Sequence, residues 1–172
     1  SYGVNIDISA PGEAVYSTIF DNTYSTSSGT SFAAPIVAAA AALIKAQFPT
    51  YAPLQIAEQL RATSDDIYSI AGNIPFDKKL GKGRLNMFRA LTENPKSVRM
   101  TDYSITDNND NAFAGNDTLD IVVDLTNYLQ PLSNLSVTLT ASLPGIVILN
   151  GTINPGAMAT LASYDNSAAP FR

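Results

Sequence analysis

What most constrains this chain is a change in sequence grammar close to residue 96. Of its 172 residues, the first 96 carry eight Lys and Arg against eight Asp and Glu. Residues 97–172 carry two Arg and seven Asp, with no Lys and no Glu, and so hold the whole net charge of −5. Lys and Glu favour helices, whereas a stretch without them that is rich in Thr, Val and Ile favours strands. The expectation is an α/β part over 1–96 followed by an all-β part over 97–172, with the boundary between Pro95 and Ser97.

Local patterns fill in each part. Val4, Ile6 and Ile8 alternate as in a strand that ends at Ala10-Pro11-Gly12, since Pro-Gly is a strong turn signal. Val15 to Ile19 reads as a second strand and Asp21 to Ser28 as a polar loop. Ser31 to Phe48, Ala-rich and nearly apolar all round, reads as a helix of the buried kind. Leu54 to Thr63 is an amphipathic helix with Ile56, Ala57 and Leu60 inward, and Asn86 to Leu91 is a last short helix. Leu80 to Leu85 is a glycine-punctuated turn into a strand. Beyond residue 97, Thr118 to Leu125 and Leu135 to Thr140 alternate with period two, and Ile146 to Leu149, Gly151 to Ile153 and Ala159 to Leu161 read as further short strands. Strands at such spacing suggest an antiparallel sandwich, truncated where the chain stops at Arg172.

Composition excludes several classes. Hydrophobic residues at 45% and charged residues at 15% describe a globular protein. The net charge of −5 argues against a nucleic-acid partner. The apolar run Ile36 to Ile44 is about half of the ~20 residues a membrane span needs, so no transmembrane segment is expected. There is no cysteine and no histidine, which removes thiolate chemistry and the commonest general base and metal ligand. Ser1-Tyr2-Gly3 carries no initiator Met and no signal-like apolar stretch, and reads as the interior of a longer chain.

The segment that carries chemistry is Gly29-Thr30-Ser31-Phe32-Ala33-Ala34-Pro35. A serine in the first turn of a buried helix sits among free backbone N–H groups at the positive end of the helix dipole. Ser31 could attack a carbonyl there while its own N–H donates to the resulting oxyanion. Gly29 permits close approach, and Ala33 and Ala34 leave room. The local physics serves equally well for an N-cap, because Ser and Thr accept bonds from first-turn amides, and a serine without a base is a poor nucleophile.

That run closely resembles the segment around the nucleophilic serine of subtilisin-like serine peptidases, the subtilases. The resemblance extends to Ile6-Asp7-Ile8-Ser9-Ala10-Pro11-Gly12 with Val15 to Thr18 upstream. Downstream it takes in Pro49 to Thr63, Leu80-Gly81-Lys82-Gly83-Arg84-Leu85-Asn86 and Arg89-Ala90-Leu91, so that it covers roughly residues 1–95. It implies the C-terminal part of a doubly wound parallel-sheet catalytic domain, with Ser31 as nucleophile and as one oxyanion donor. Gly29, Thr30, Pro35, Pro11 and Gly12 would be structural parts of the motif. Ile36 to Ala39 stand where the family usually has His-Val-Ala-Gly, and Phe32 stands for Met. The family orders Asp, His and then Ser along the chain. Asp, His and the oxyanion Asn would therefore lie upstream of Ser1, and none of Asn5, Asn22 or Asn73 occupies the place of that Asn. The resemblance implies a secreted, cell-surface or periplasmic bacterial endopeptidase acting on proteins or peptides. Residues 1–172 alone would be inactive, with an exposed apolar helix prone to self-association.

Asp107-Asn108-Asn109-Asp110-Asn111 is oxygen-rich and makes Asp107 and Asp110 candidate Ca²⁺ ligands, although the EF-hand Gly and Glu are absent and a plain Asx-rich turn fits too. With Ala114 to Asp117 it resembles the opening of immunoglobulin-like accessory modules. Asn116, Asn134 and Asn150 begin glycosylation-type triplets of the kind that arise by chance in such a composition. Lys78, Lys79, Lys82 and Arg84 form a small basic cluster, read as a solvated loop. Two other functions stay open: a pseudopeptidase without a working triad, and an adhesive or ligand-binding β-module protein.

Overall fold

The computed structural model describes residues 2–107, 110 and 112–172. The chain forms two compact units, Ser1–Pro95 and Lys96–Arg172, of mixed α and β structure.

The first unit opens with an extended segment and a hairpin, β1 (Val15–Ile19) and β2 (Thr23–Ser27), paired antiparallel from Val15↔Ser27 to Ile19↔Thr23. Asp21 and Asn22 take the left-handed backbone (φ 59° and 53°) that closes the turn, a conformation these two residue types tolerate. β2 corrects the expected loop at 21–28. All five of its residues are exposed, so no apolar period betrays it. The strand expected at Val4 to Ile8 is also corrected: Val4 and Asn5 lie in a turn, and only Ser9 makes a parallel bridge, to Arg84. Segments 7–9 and 82–85 run side by side through Lys82 N–H to Asp7 O (3.0 Å), Ser9 N–H to Gly83 O (2.8 Å) and Leu85 N–H to Ser9 O (2.8 Å). Gly83 is required there, because a Cβ on it would lie 2.1 Å from the carbonyl oxygen of Asp65.

Three helices follow: α1 (Thr30–Gln47), α2 (Pro53–Ala62) and α3 (Met87–Thr92), with a 3₁₀ turn at Ala71–Phe76 that the sequence pattern does not announce. Pro53 and Gln55 start α2, the Gln55 side chain accepting the Ala52 N–H at 3.0 Å. The Asn86 side chain caps α3 by accepting the Arg89 N–H at 3.0 Å. Ala40 and Ile44 of α1 pack with Leu60 and Ala90, joined by Val37, Ala41 and Phe48 at helical spacing. The buried Gln59 side chain donates to Ala90 O (2.9 Å) and Glu93 O (2.8 Å), which binds α2 to the end of α3. α1 corrects the expectation of a helix buried all round. It buries one stripe, Leu43 is 52% exposed, and 11% of the helix is buried. At 18 residues and mean hydropathy 1.3, α1 is long and apolar enough to cross a membrane by length and composition, which the run Ile36 to Ile44 alone is not.

In the second unit, β3 (Val98–Thr106), β4 (Asp120–Asn127) and β7 (Ser163–Asp165) form an antiparallel sheet in the order β3-β4-β7. β5 (Val137–Thr138) and β6 (Thr152–Ile153) form a second pair. Val123 and Leu125 of β4 alternate inward and share a core with Ile153, Phe171, Val137 and Tyr164, so both sheets contribute to one cluster. β3 is longer than any strand anticipated in this half, yet seven of its nine residues are exposed, and it carries no inward–outward pattern. No strand forms at Ile146 to Leu149 or at Ala159 to Leu161. Leu149 and Asn150 donate their N–H groups to Arg172 O (2.7 and 3.0 Å), and Leu161 turns the chain with φ 63°.

Asn166 completes β4 where its neighbour strand ends. Its amide accepts from Val123 N–H (2.7 Å) and donates to Ile121 O (3.2 Å), and it is 1% exposed. Asn166→Ala strands the Val123 N–H, while Ile121 O keeps the Phe171 N–H at 3.1 Å, and is expected to cost about 1–3 kcal/mol, checked by urea unfolding. In the first unit, Asp65 accepts from Asn86 (2.8 Å) and Arg84 (3.1 Å), which hold its carboxyl below the usual range. The Arg89 guanidinium does the same for Glu93 (2.8 and 3.1 Å). Both groups add stability above the unfolded carboxylate range, at about pH 3.9 to 4.3, and lose it as pH falls through their depressed folded values. Stability should therefore drop in acid, and Asp65→Asn should flatten that dependence in thermal melts between pH 2 and 6; equal slopes would exclude the linkage.

Candidate active site

The site is built where the β1–β2 hairpin runs into α1. Gly29 is the residue before the helix and gives it no side-chain cap; Thr30 and Ser31 are its first two residues. Neither hydroxyl serves as N-cap, and Ser31 is exposed with no described residue bonded to its Oγ. Ser31 thus stands in the first turn of an 18-residue helix, at the positive end of the dipole. Pro35 lies inside α1. Lacking an N–H, it leaves the Ser31 carbonyl without its usual i+4 donor.

Gly12 comes back against this turn, while Pro11 beside it is exposed. Gly29 N–H donates to Gly12 O at 2.7 Å, and Ala14 N–H donates to Ser28 Oγ at 2.9 Å. A cavity of about 480 Å³ adjoins the helix start, lined by Ile8, Ala10, Gly12, Gly29, Ala33 and Val37 among others, with Ser9, Glu13 and Thr30 as its polar side chains. Gly12, Gly29, Thr30 and the Ala33-Ala34 pair therefore line one cavity, although they come from both ends of the hairpin, and Ser31 follows Thr30 in the chain without lining it.

Asn5, Asn22 and Asn73 do not line that cavity, and Asp107 and Asp110 belong to the second unit. Asn5 is in the opening turn, Asn22 in the hairpin turn, and Asn73 donates to Ile67 O at 2.8 Å. Asp107 is buried at the end of β3, and Asp110 is exposed and accepts the Ala112 N–H at 2.9 Å. Asn108, Asn109 and Asn111 of that loop lie outside the described residues. No group of three or more Asp, Glu or His able to hold a metal occurs among the described residues. Of the basic cluster, Lys78 and Lys82 line a second cavity of about 440 Å³ with Arg61 and Tyr68, and Arg84 pairs with Asp65 at 3.1 Å. Sequence reasoning missed two contributors: Ser28, and Arg61, which pairs with Asp7 and so ties α2 to the segment leading into Pro11. Recognising β2 would have exposed the first, since the residue after Ser27 continues the register toward Ala14.

The model of the subtilase family matches residues 1–113. The chain belongs to the subtilase family. The match contains the whole hairpin and all three helices of this subtilase and runs past Pro95 through the whole of β3. Subtilisin DY of Bacillus licheniformis is 40% identical over 87 residues, 51% of this chain and 29% of the relative. A thermostable alkaline protease of Halalkalibacterium halodurans is 47% identical over 64 residues, 37% of this chain and 18% of its own length. Subtilisin Savinase of Lederbergia lenta is 44% identical over 68 residues, 40% of this chain and 25% of the relative. The chain thus spans less than a third of the length of each of these curated relatives.

A capping serine and a reactive one answer differently to deletion of the hydroxyl. Loss of an N-cap costs about 1 kcal/mol. With no cap bond to lose, Ser31→Ala in this chain is expected to change unfolding free energy by less than about 0.5 kcal/mol in urea titration.

Proposed function

We propose that this subtilase chain is the part of a serine endopeptidase that carries the nucleophile, Ser31. The observation behind this reading is an exposed, uncapped serine in the first turn of the helix within the family-matched segment. Ser31 Oγ would attack the carbonyl carbon of a scissile peptide bond, giving up its proton to a general base. The Ser31 N–H would donate to the oxyanion, and loss of the amine would leave an acyl-enzyme that water then hydrolyses. The base and its orienting acid are not both available here, because the 172 residues contain no histidine. In this reading they and the oxyanion Asn come from outside residues 1–172, protein or peptide is the substrate, and residues 1–172 alone are inactive. The second unit, whose two sheets share one core, would be an immunoglobulin-like accessory module. In this reading the intact enzyme would be secreted, cell-surface or periplasmic in a bacterium, as the family resemblance implies.

The lack of histidine in residues 1–172 is equally compatible with a second reading, a binding-only pseudopeptidase. A fluorophosphonate probe separates the two. Labelling at Ser31 is expected in a longer gene product containing this segment and not in residues 1–172 alone. A longer product with both upstream partners present that fails to label would leave the binding-only reading. Peptide hydrolysis by purified residues 1–172, abolished by Ser31→Ala, would overturn the inactivity of the isolated chain.

A further inference from the structure

We propose that Ser28 and Gly12 are positioning residues for Ser31, holding the helix start by a two-point clamp across the base of the β1–β2 hairpin. The proposal rests on the reading of Ser31 as nucleophile. The hairpin's last rung is Val15↔Ser27, and two further bonds carry the pairing outward: Ala14 N–H to Ser28 Oγ at 2.9 Å and Gly29 N–H to Gly12 O at 2.7 Å. Three successive residues, Ser27, Ser28 and Gly29, are thereby fixed against residues 12–15.

Two observations show that this junction is held under constraint. Ala14 takes φ 51°, a left-handed backbone that alanine adopts only when its surroundings impose it, and in that conformation its N–H reaches Ser28. Gly12 is pressed so close that a Cβ there would lie 2.8 Å from Gly29 O and 3.3 Å from the Ala33 side chain. Gly29 O is also the acceptor of the Phe32 N–H at 3.1 Å, the bond that closes the first turn around Ser31. Ser31 makes no side-chain hydrogen bond of its own, so its position is inherited through Gly29 and Phe32. A displacement of about 1 Å at a reacting group can cost on the order of 10²-fold in rate.

The test uses Ser28→Ala, with Ser28→Thr as the conservative variant that keeps a hydroxyl at the same place. In residues 1–172, amide hydrogen exchange at Ala14 and Gly29 should quicken about tenfold or more in Ser28→Ala, stay near wild type in Ser28→Thr, and remain unchanged at Ile44 in the body of α1. Unchanged exchange at Ala14 and Gly29 in Ser28→Ala overturns the clamp. In a longer, active gene product, Ser28→Ala should lower kcat and the rate of fluorophosphonate labelling at Ser31 about tenfold with KM within about twofold, and Ser28→Thr should restore both. Unaltered labelling, or a change confined to KM, overturns the positioning role. If wild-type Ser31 is never labelled, the nucleophile reading fails, while the exchange measurement still decides whether the clamp exists. Gly12→Ala should act in the same direction and more strongly; because it can also unfold the unit, Ser28 carries the decision.

Discussion

The first unit depends on one packing contact, the stripe of α1 that centres on the fully buried Ile44. Ala40 and Ile44 meet Leu60 of α2 and Ala90 of α3, and this is the only cluster of buried apolar side chains described in residues 1–95. The body of α1 that carries Ser31 is anchored through it, while the start of the helix meets residues 12–15 of the hairpin. Gln59 reinforces the contact with a polar tie from α2 to the end of α3, where the last carbonyls of a helix otherwise lack donors. The same contact explains the exposure of α1. Two short helices can cover one stripe of an apolar cylinder and no more.

The second unit solves its problem differently. Among its described residues there is no helix, and three of its five strands are two or three residues long, so side-chain amides supply backbone bonds that the ladders do not. Asn166 serves Val123 and Ile121, and Asn127 donates to carbonyls at Gln130, Met158 and Ala159. Arg172 closes the unit with a bidentate pair to Asp120 at 2.6 and 2.8 Å, which raises the guanidinium's affinity for its proton. The abundance of Asn in this half, which composition alone reads as loop or turn, is partly structural.

Much of the first unit was legible. The three helices and β1 follow from apolar periodicity, proline and glycine punctuation and the Asn86 cap, all local signals. β2 and β3 were not legible, because strands exposed on most of their length carry no burial pattern and are defined only by the neighbour they pair with. The strand expected at Val4 to Ile8 failed for the converse reason: its pattern is right, but a strand needs ladder partners along its length, and here the backbone bonds from residues 82–85 reach only Asp7 and Ser9. At the site, Gly29 to Pro35 and the Pro11-Gly12 turn could be read directly, whereas Ser28 could not, since its role exists only once the hairpin brings it opposite Ala14.

Sequence by itself therefore determined the helix that carries Ser31, the glycines and prolines that bound it, the change to β structure near residue 96, and the lack of any histidine. It did so because each of these is set by residue type or by spacing along the chain. Tertiary structure decided that the Ser31 hydroxyl is exposed and not spent as a cap, that α1 buries a single stripe, and that Gly12 and Ser28 close on the loop before it. Those outcomes turn on contacts between residues distant in sequence, and on which partners are present to make them.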